Sequence, residues 1–224
     1  FEGATGQGKI RYQINDRTLQ EESPVLNSFE TLLKLPDSRM PLSEILALFE
    51  IPAVHRRFDL DREDYEQLKT WLIASGARWG MDATHRKDVD LPAYSDFSWS
   101  FGLNRLLSGY GMTAEVDSDD GTETTVLLDM VSSAQDGPGL KVLPLDDVEG
   151  GGAKALDGFL RFWSKLKTYR SSLQKTQSPL EWKGVLDKLL DDFYAPEEDE
   201  WRALNELRRG IADLELAADE KDTW

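Results

Sequence analysis

Apolar residues recur every three or four positions along most of this chain, and that spacing predicts amphipathic α-helices. Residues 9–15 differ, because polar and apolar side chains alternate there, which predicts a short strand. The periodic segments predict about seven helices, at roughly 24–35, 45–49, 62–75, 98–110, 153–174, 179–194 and 197–218. We therefore expect a mainly α, multi-helix fold with one short N-terminal strand.

Capping residues predict where several of these helices begin. Asp61, with Asp64 three residues later, forms a variant of the capping box. Ser178 directly precedes a proline, which is favoured at the first helical position. Ser23 and Ser43 stand before two of the earlier helices. We expect all four of these N-terminal side chains to cap a helix.

Two segments lack the helical pattern. Residues 77–97 carry few periodic apolar positions and are predicted to form a loop. In 113–150, turn-forming residues flank the β-branched stretch 124–128, which predicts either a small β-hairpin around 115–145 or a long surface loop. Gly150–Gly152 then predicts a flexible joint before the last three helices.

The charge of the chain limits what it can bind. Its 224 residues, enough for one large or two small domains, carry a formal net charge of −16. The excess is uneven: residues 1–110 have 13 basic and 17 acidic side chains, whereas 111–224 have 13 and 25. An acidic surface repels phosphate groups. The chain by itself is therefore a poor candidate for an autonomous nucleic-acid-binding protein.

The chain lacks the residues that several kinds of catalytic site require. The absence of cysteine excludes thiolate zinc sites, iron–sulfur clusters and cysteine nucleophiles. His55 and His85 are the only histidines, and neither has a second histidine at helical spacing. No serine lies in a GxSxG motif. We expect no catalytic residue, metal or cofactor in this chain, and no segment is apolar enough to predict a membrane span.

Two short motifs are typical of enzymes but stand in the wrong context. Gly3–Lys9 matches GxxxxGK, yet Ile10 follows where a phosphate-binding loop needs serine or threonine, and the next element is a predicted strand. Glu181–Lys183 matches the end of a nuclease motif, but helix capping and packing explain a glutamate at a helix start better. An ATPase or nuclease that uses either motif is the third hypothesis below.

One helix carries a cluster of basic residues inside the acidic half of the chain. At 100° per residue, Lys154, Arg161 and Lys165 fall within about 20° of one direction, so they form a basic stripe. Apolar residues such as Phe159 and Trp163 occupy the opposite face. The stripe either pairs with acidic helices of the same molecule, which we favour, or contacts DNA or an acidic partner.

A set of sequence motifs resembles the RecC family, the gamma subunit of exodeoxyribonuclease V. Their order and approximate spacing agree over most of the chain, with 113–140 resembling an insertion. The strongest similarity is in Ser75–Asp82. The matching segments are 12–17, 24–26, 32–39, 45–54, 57–58, 75–82, 99–110, 142–144 and 179–182.

The resemblance implies a helicase-like protein without ATPase motifs. In that family the subunit assembles with RecB-like and RecD-like partners, and the complex processes double-stranded DNA ends, guides the single strands and recognises Chi. By this resemblance, residues 1–18 are the end of a helicase-like 2A region, and 19–224 are a helical 2B-like domain with an inserted loop or hairpin at 113–150. It also implies a bacterial, cytoplasmic location, and no catalytic, metal or cofactor-binding residue in this segment.

Within the best-matching motif, roles follow only from side-chain chemistry. Arg78, Trp79 and Gly80 come directly after a glycine suited to end a helix. We expect a turn in which Trp79 is buried and Arg78 pairs with a carboxylate, for which Asp82 is the candidate. Packing is favoured over DNA contact for this turn.

Three functional hypotheses remain from the sequence. The first is a non-catalytic helicase-like segment that scaffolds its complex and guides DNA strands in double-strand break repair and recombination. The second is an acidic protein-interaction module without direct DNA contact, and the third is the ATPase or nuclease. Arg56 and Arg57, near a predicted helix end, either touch a phosphate or satisfy backbone carbonyl groups.

Overall fold

A computed structural model describes residues 23–117, 152–198 and 200–219. The predicted strand at 9–15 and the glycine-rich motif at 3–9 lie outside this part of the chain, and so does most of the predicted hairpin. Where the structure is described it is helical and contains no strand, which confirms the mainly α fold. None of the helices described is both long and apolar enough to cross a membrane.

Nine helices form the described part of the chain. The first six are α1 Pro24–Leu33, α2 Leu42–Glu50, α3 Pro52–Arg57, α4 Arg62–Ala74, α5 Ala83–Asp88 and α6 Trp99–Asp117. The last three are α7 Ala153–Leu173, α8 Pro179–Phe193 and α9 Glu200–Asp219.

Phe162 of α7 lies at the centre of an aromatic core that joins distant parts of the sequence. Its ring centroid is 4.6 Å from that of Phe49 in α2, 5.5 Å from Phe58 after α3, and 5.9 Å from Phe193 at the end of α8. All four side chains are buried. Tilted and edge-on contacts of this kind add to the free energy of burying the rings. The packing therefore holds α2, α3, α7 and α8 around one core.

The caps of α4 and α8 confirm two predictions from the sequence. Asp61 accepts a hydrogen bond from the Asp64 N–H at 2.9 Å, and the carboxylate of Asp64 accepts from the Asp61 N–H at 3.1 Å. Ser178 and Glu181 form the same reciprocal capping box at the start of α8. These bonds satisfy backbone donors that a helix start leaves unpaired.

The serine predictions at the first two helices need correction. Ser23 occupies the N-cap position of α1, but its side chain forms no capping hydrogen bond. The N-cap of α2 is Pro41 rather than Ser43. The reason is that the Leu42 N–H donates to the Arg78 carbonyl at 2.8 Å and its side chain is buried, so the helix begins two residues earlier than a Ser43 cap would allow.

Four further features differ from the sequence prediction, among them a helix, α5, inside the segment 77–97 that was predicted to form a loop. Helices α3 and α5 were not predicted, because six residues are too few to show a 3.6-residue period. Helix α6 continues to Asp117, so 113–117 does not belong to a loop or hairpin. Gly152, predicted as part of a flexible joint, is instead packed against α4: it is buried, and a Cβ atom there would lie 1.7 Å from the Trp71 ring.

Candidate functional site

A groove of about 810 Å³ runs between α7 and α8. Each helix contributes residues three or four positions apart, which places them on one face of that helix. On α7 the lining residues are Arg161, Ser164, Lys165, Thr168, Tyr169 and Ser172. On α8 they are Glu181, Gly184, Val185, Lys188 and Asp192, and Arg57, Phe58 and Gln177 complete the groove.

The groove is cationic although the chain is strongly acidic. Its lining carries four basic side chains and two acidic ones, which sum to +2, whereas the whole chain carries −16. Two members of the basic stripe, Arg161 and Lys165, lie in it together with Arg57. Arg161 and Lys165 are paired with carboxylates, so the positive charge available to an anion comes mainly from Arg57 and Lys188, which form no ion pair among the described residues.

Arg161 joins α7 to the turn after α3. Its guanidinium group pairs with Asp157 at 3.0 Å and with Asp59 at 3.1 Å, and it donates to the Phe58 carbonyl at 3.0 Å. The side chain is still 46% exposed, so one side of the guanidinium group faces the groove. Arg161 therefore serves the fold and lines the candidate site at once.

Lys165 and Tyr169 both bind the carboxylate of Asp192 on α8. The ammonium group of Lys165 lies 2.8 Å from Oδ1, and the Tyr169 hydroxyl donates to Oδ2 at 2.7 Å. Burial alone would raise the pKa of Asp192, but these two hydrogen bonds outweigh it and hold the pKa below its ordinary value. Burial, followed by the bond to Asp192, raises the pKa of Tyr169. Asp192 is therefore a charged anchor between the two helices.

Lys154, the third member of the stripe, lies away from the groove. Its ammonium group pairs with the Asp64 carboxylate at 2.7 Å. Burial by itself would raise the pKa of Asp64, but the hydrogen bonds from Lys154 and the Asp61 N–H outweigh it and hold the pKa below its ordinary value. The hydrogen bond to Asp64 raises the pKa of Lys154. All three stripe residues thus pair within the molecule, as the favoured alternative expected, but the partners of Arg161 lie on its own helix and in a turn rather than on an acidic helix beside it. Only two of the three border the groove.

Arg56 and Arg57 both donate to backbone carbonyl groups. Arg56 Nε donates to the Ala195 carbonyl at 3.2 Å, and its other nitrogens pair with Glu197 and Glu200, so it ties α3 to the start of α9. Arg57 Nε donates to the Asp191 carbonyl at 2.7 Å. Both arginines were expected either to touch a phosphate or to satisfy backbone carbonyl groups, and the geometry matches the second alternative. Arg57 is exposed and also lines the groove.

The turn after α4 is built around an arginine that the sequence analysis did not select. The Arg86 guanidinium lies 4.3 Å from the centroid of the half-buried Trp79 ring and donates to the Trp79 carbonyl at 3.1 Å. Gly80 has φ +81°, and a Cβ atom there would lie 3.1 Å from Arg86 Nε, so this position requires glycine.

The predicted pair between Arg78 and Asp82 does not form. Asp82 instead accepts from the His85 N–H at 2.8 Å and caps α5. Arg78 is exposed, and the one bond described for its side chain is to the Ala77 carbonyl at 3.5 Å. The physical reason is that Asp82 lies at a helix start, where its short side chain reaches the backbone of the same turn. The motif is a packed turn, and it lies apart from the groove.

Lys188 and Asp192, two groove residues on α8, were not identified from the sequence, and Glu181 was considered only as part of a nuclease-like motif. Glu181, Lys188 and Asp192 follow helical spacing and share a face, so extending the wheel argument to this helix would have found them. Glu181 caps α8 and Trp182 packs partly buried against the core, which matches the capping and packing interpretation of that motif. In the described residues no group of three or more His, Cys, Asp or Glu side chains could hold a metal ion.

Comparisons with known proteins give a consistent result. The family model described as "RecBCD enzyme subunit RecC fourth domain" matches residues 22–223. The RecBCD enzyme subunit RecC of Escherichia coli (strain K12) is 31% identical over 214 residues, covering 91% of this chain and 17% of that protein. Its counterpart in Mycolicibacterium smegmatis is 28% identical over 215 residues, covering 96% and 18% respectively. The chain thus spans less than a fifth of the length of these relatives.

Proposed function

The chain belongs to the RecC family, and from this premise we propose that it is a helical domain that scaffolds its complex and guides DNA strands without catalysing a reaction itself. The relatives are named as subunits of the RecBCD enzyme. We therefore propose RecB-like and RecD-like subunits as partners, and broken double-stranded DNA ends and their single strands as the substrate of the assembled complex. We further propose repair and recombination in the bacterial cytoplasm as its setting, with residues 1–18 as the end of a 2A region and 19–224 as a 2B-like domain.

The observation that carries this proposal is the cationic groove between α7 and α8. A scaffold alone has no need to collect four basic side chains in one concave site when the rest of the chain is acidic. DNA is guided by neutralising phosphate groups, and lysine and arginine provide that neutralisation. The groove therefore supports a direct contact with a strand.

The absence of a catalytic role is supported by how the groove carboxylates are used. Glu181 is engaged by Ser178 in the cap of α8, and Asp192 is held by Lys165 and Tyr169. A carboxylate that is already bonded in this way is poorly placed to act as a general base or to bind a catalytic metal. The proposed role of the groove is binding.

The second candidate is an acidic protein-interaction module, and one observation favours it. The stripe cations are paired within the molecule, so the net charge that most of the surface presents to a partner is negative. In this alternative the domain would hold a basic surface of a neighbouring subunit, and the groove would contact no DNA.

A deletion in the assembled complex tests the proposal. The full-length subunit, with 22–223 replaced by a flexible linker, is combined with its partner subunits, and both assembly and unwinding of a DNA end are measured. Loss of unwinding in complexes that still assemble supports strand guidance. Loss of assembly alone, with normal unwinding by the complexes that do form, supports the interaction module, and an unchanged result in both assays contradicts both candidates.

A further inference from the structure

We propose that the groove between α7 and α8 binds the sugar–phosphate backbone of one DNA single strand and makes no selective contact with its bases. This inference rests on the proposed function and adds the site and the form of the nucleic acid to it. The groove runs beside α7 from Arg161 to Ser172, which at 1.5 Å per residue is about 16 Å. That length accommodates several phosphate groups in a row.

The shape of the site favours a single strand over a duplex. Reading a duplex requires a protruding helix or ribbon that enters a groove about 12 Å wide. Here the basic residues line a depression between two packed helices, and packed helices have axes only about 8–10 Å apart. Positively charged grooves that follow one backbone are the usual way of holding a single strand.

Two of the four basic side chains that line the groove have hydrogen-bond donors without a partner among the described residues. Lys188 forms no ion pair among the described residues, although its charge contributes to lowering the pKa of Asp192. Arg57 uses Nε for the Asp191 carbonyl, and neither of its Nη groups has a partner in the described part of the chain, so both can bind a ligand. Phosphate oxygens suit both side chains. These two residues are therefore the expected primary contacts, and Arg161 and Lys165 support them while remaining paired.

Gly184 keeps the α8 side of the groove open. It lies inside a helix, where glycine costs about 1 kcal/mol relative to alanine. A Cβ atom at this position would meet nothing within 4 Å, so packing does not require a glycine here. A missing side chain allows a ligand to approach the helix backbone closely. Gly210 on α9 is equally unpacked and does not line the groove, which makes it a matched control.

The aromatic residues of the groove are unsuited to base stacking. Phe58 is 3% exposed and Tyr169 is 5% exposed, and the Tyr169 hydroxyl is held by Asp192. Proteins that stack bases present accessible ring faces. Binding here should therefore depend steeply on salt and little on base sequence.

An acidic peptide is the other anionic ligand to consider, and the lining argues against it. A peptide helix docks through apolar side chains that enter hydrophobic pockets. Among the described residues that line the groove, the partly buried Val185 is the one aliphatic side chain. A polar and cationic lining fits a phosphate backbone better.

Site-directed cross-linking in the complete complex tests this proposal. A photo-crosslinking amino acid replaces Gly184 or, as the control, Gly210 in the full-length subunit, and the assembled complex is irradiated with labelled single-stranded oligonucleotides of mixed and uniform sequence. We expect strong cross-links from 184 with every oligonucleotide and little from 210. Lys188→Glu should reduce the yield several-fold, whereas Lys175→Glu, at an exposed lysine outside the groove, should not.

Three results would overturn the proposal. Equal yields from 184 and 210 would show that the groove is not a preferred site, cross-links from 184 to a protein subunit would assign it to a partner, and cross-links with only one base sequence would contradict backbone recognition. Each of these results could occur even if deletion of 22–223 abolished unwinding. The two experiments therefore distinguish failure of the groove proposal from failure of the proposed function.

Discussion

The Lys165 ammonium group and the Asp192 carboxylate, 2.8 Å apart, connect the two helices that form the groove. Asp192 is 13% exposed and also accepts the Tyr169 hydroxyl, so its charge is largely screened from water by its two partners. The pair fixes the spacing of α7 and α8 while it neutralises one of the groove cations. The stability of the helix pair and the charge of the groove are thus linked at this position.

Replacing this carboxylate is expected to destabilise the fold. Asp192→Asn should lower the free energy of unfolding at pH 7 by about 1–3 kcal/mol, because Lys165 and Tyr169 lose a charged acceptor. Since the folded-state pKa of Asp192 is lowered, its contribution is complete above the unfolded pKa and disappears as pH falls through the folded pKa. The free energy of unfolding of the unchanged protein and of Asp192→Asn can be measured with urea at pH 7 and pH 3. The difference between the two proteins should be smaller at pH 3.

Arg161 is expected to matter more for stability than an ordinary surface arginine. Arg161→Glu should cost about 1–2 kcal/mol, because it removes the bond to the Phe58 carbonyl and brings a negative charge next to Asp59 and Asp157. Lys175→Glu, at an exposed site without an ion pair in the described structure, is the control. Equal urea midpoints for the two variants would show that the Arg161 contacts do not contribute to stability.

Two glycines should respond in opposite directions to the same substitution. Gly80→Ala should destabilise the protein by about 1 kcal/mol or more, because φ is +81° and the new Cβ would meet Arg86. Gly210→Ala should stabilise it by about 0.5–1 kcal/mol, because the position is helical and nothing lies within 4 Å of a Cβ. Thermal unfolding of both variants measures this, and a loss of stability in Gly210→Ala would contradict the packing described for α9.

The chain alone is expected neither to hydrolyse ATP nor to cut DNA. The motivating observation is that Ile10 replaces the serine or threonine that follows the lysine of a phosphate-binding loop. The assay is phosphate release and plasmid nicking with magnesium present. Turnover of ATP that disappears in Lys9→Ala would revive the ATPase hypothesis.

Local features of the fold were predictable because their causes are close in sequence. The capping boxes of α4 and α8 each depend on residues three positions apart, and the end of α4 depends on the φ of +85° that Gly76 adopts. The long helix α7 was predicted to within one residue at its C-terminal end, because a 21-residue segment shows several turns of the period.

The candidate site was only partly predictable because its contacts join distant segments. Arg161 and Asp59 are 102 positions apart, and Lys154 and Asp64 are 90 apart, so no spacing rule could identify these partners. Helical spacing alone places the three stripe cations on one face of α7. That α8 lies beside two of them depends on tertiary packing, which spacing within one helix does not reveal.

The most direct test of the central claim is the salt dependence of single-strand binding by the assembled complex. The double variant Arg57→Glu with Lys188→Glu is compared with Lys167→Glu with Lys175→Glu, which makes the same change of charge at exposed positions outside the groove. If the groove holds a strand, the first variant loses about two phosphate contacts, and the slope of log K against log salt becomes shallower by about 1.4. Equal affinities and equal slopes for the two variants would contradict the claim.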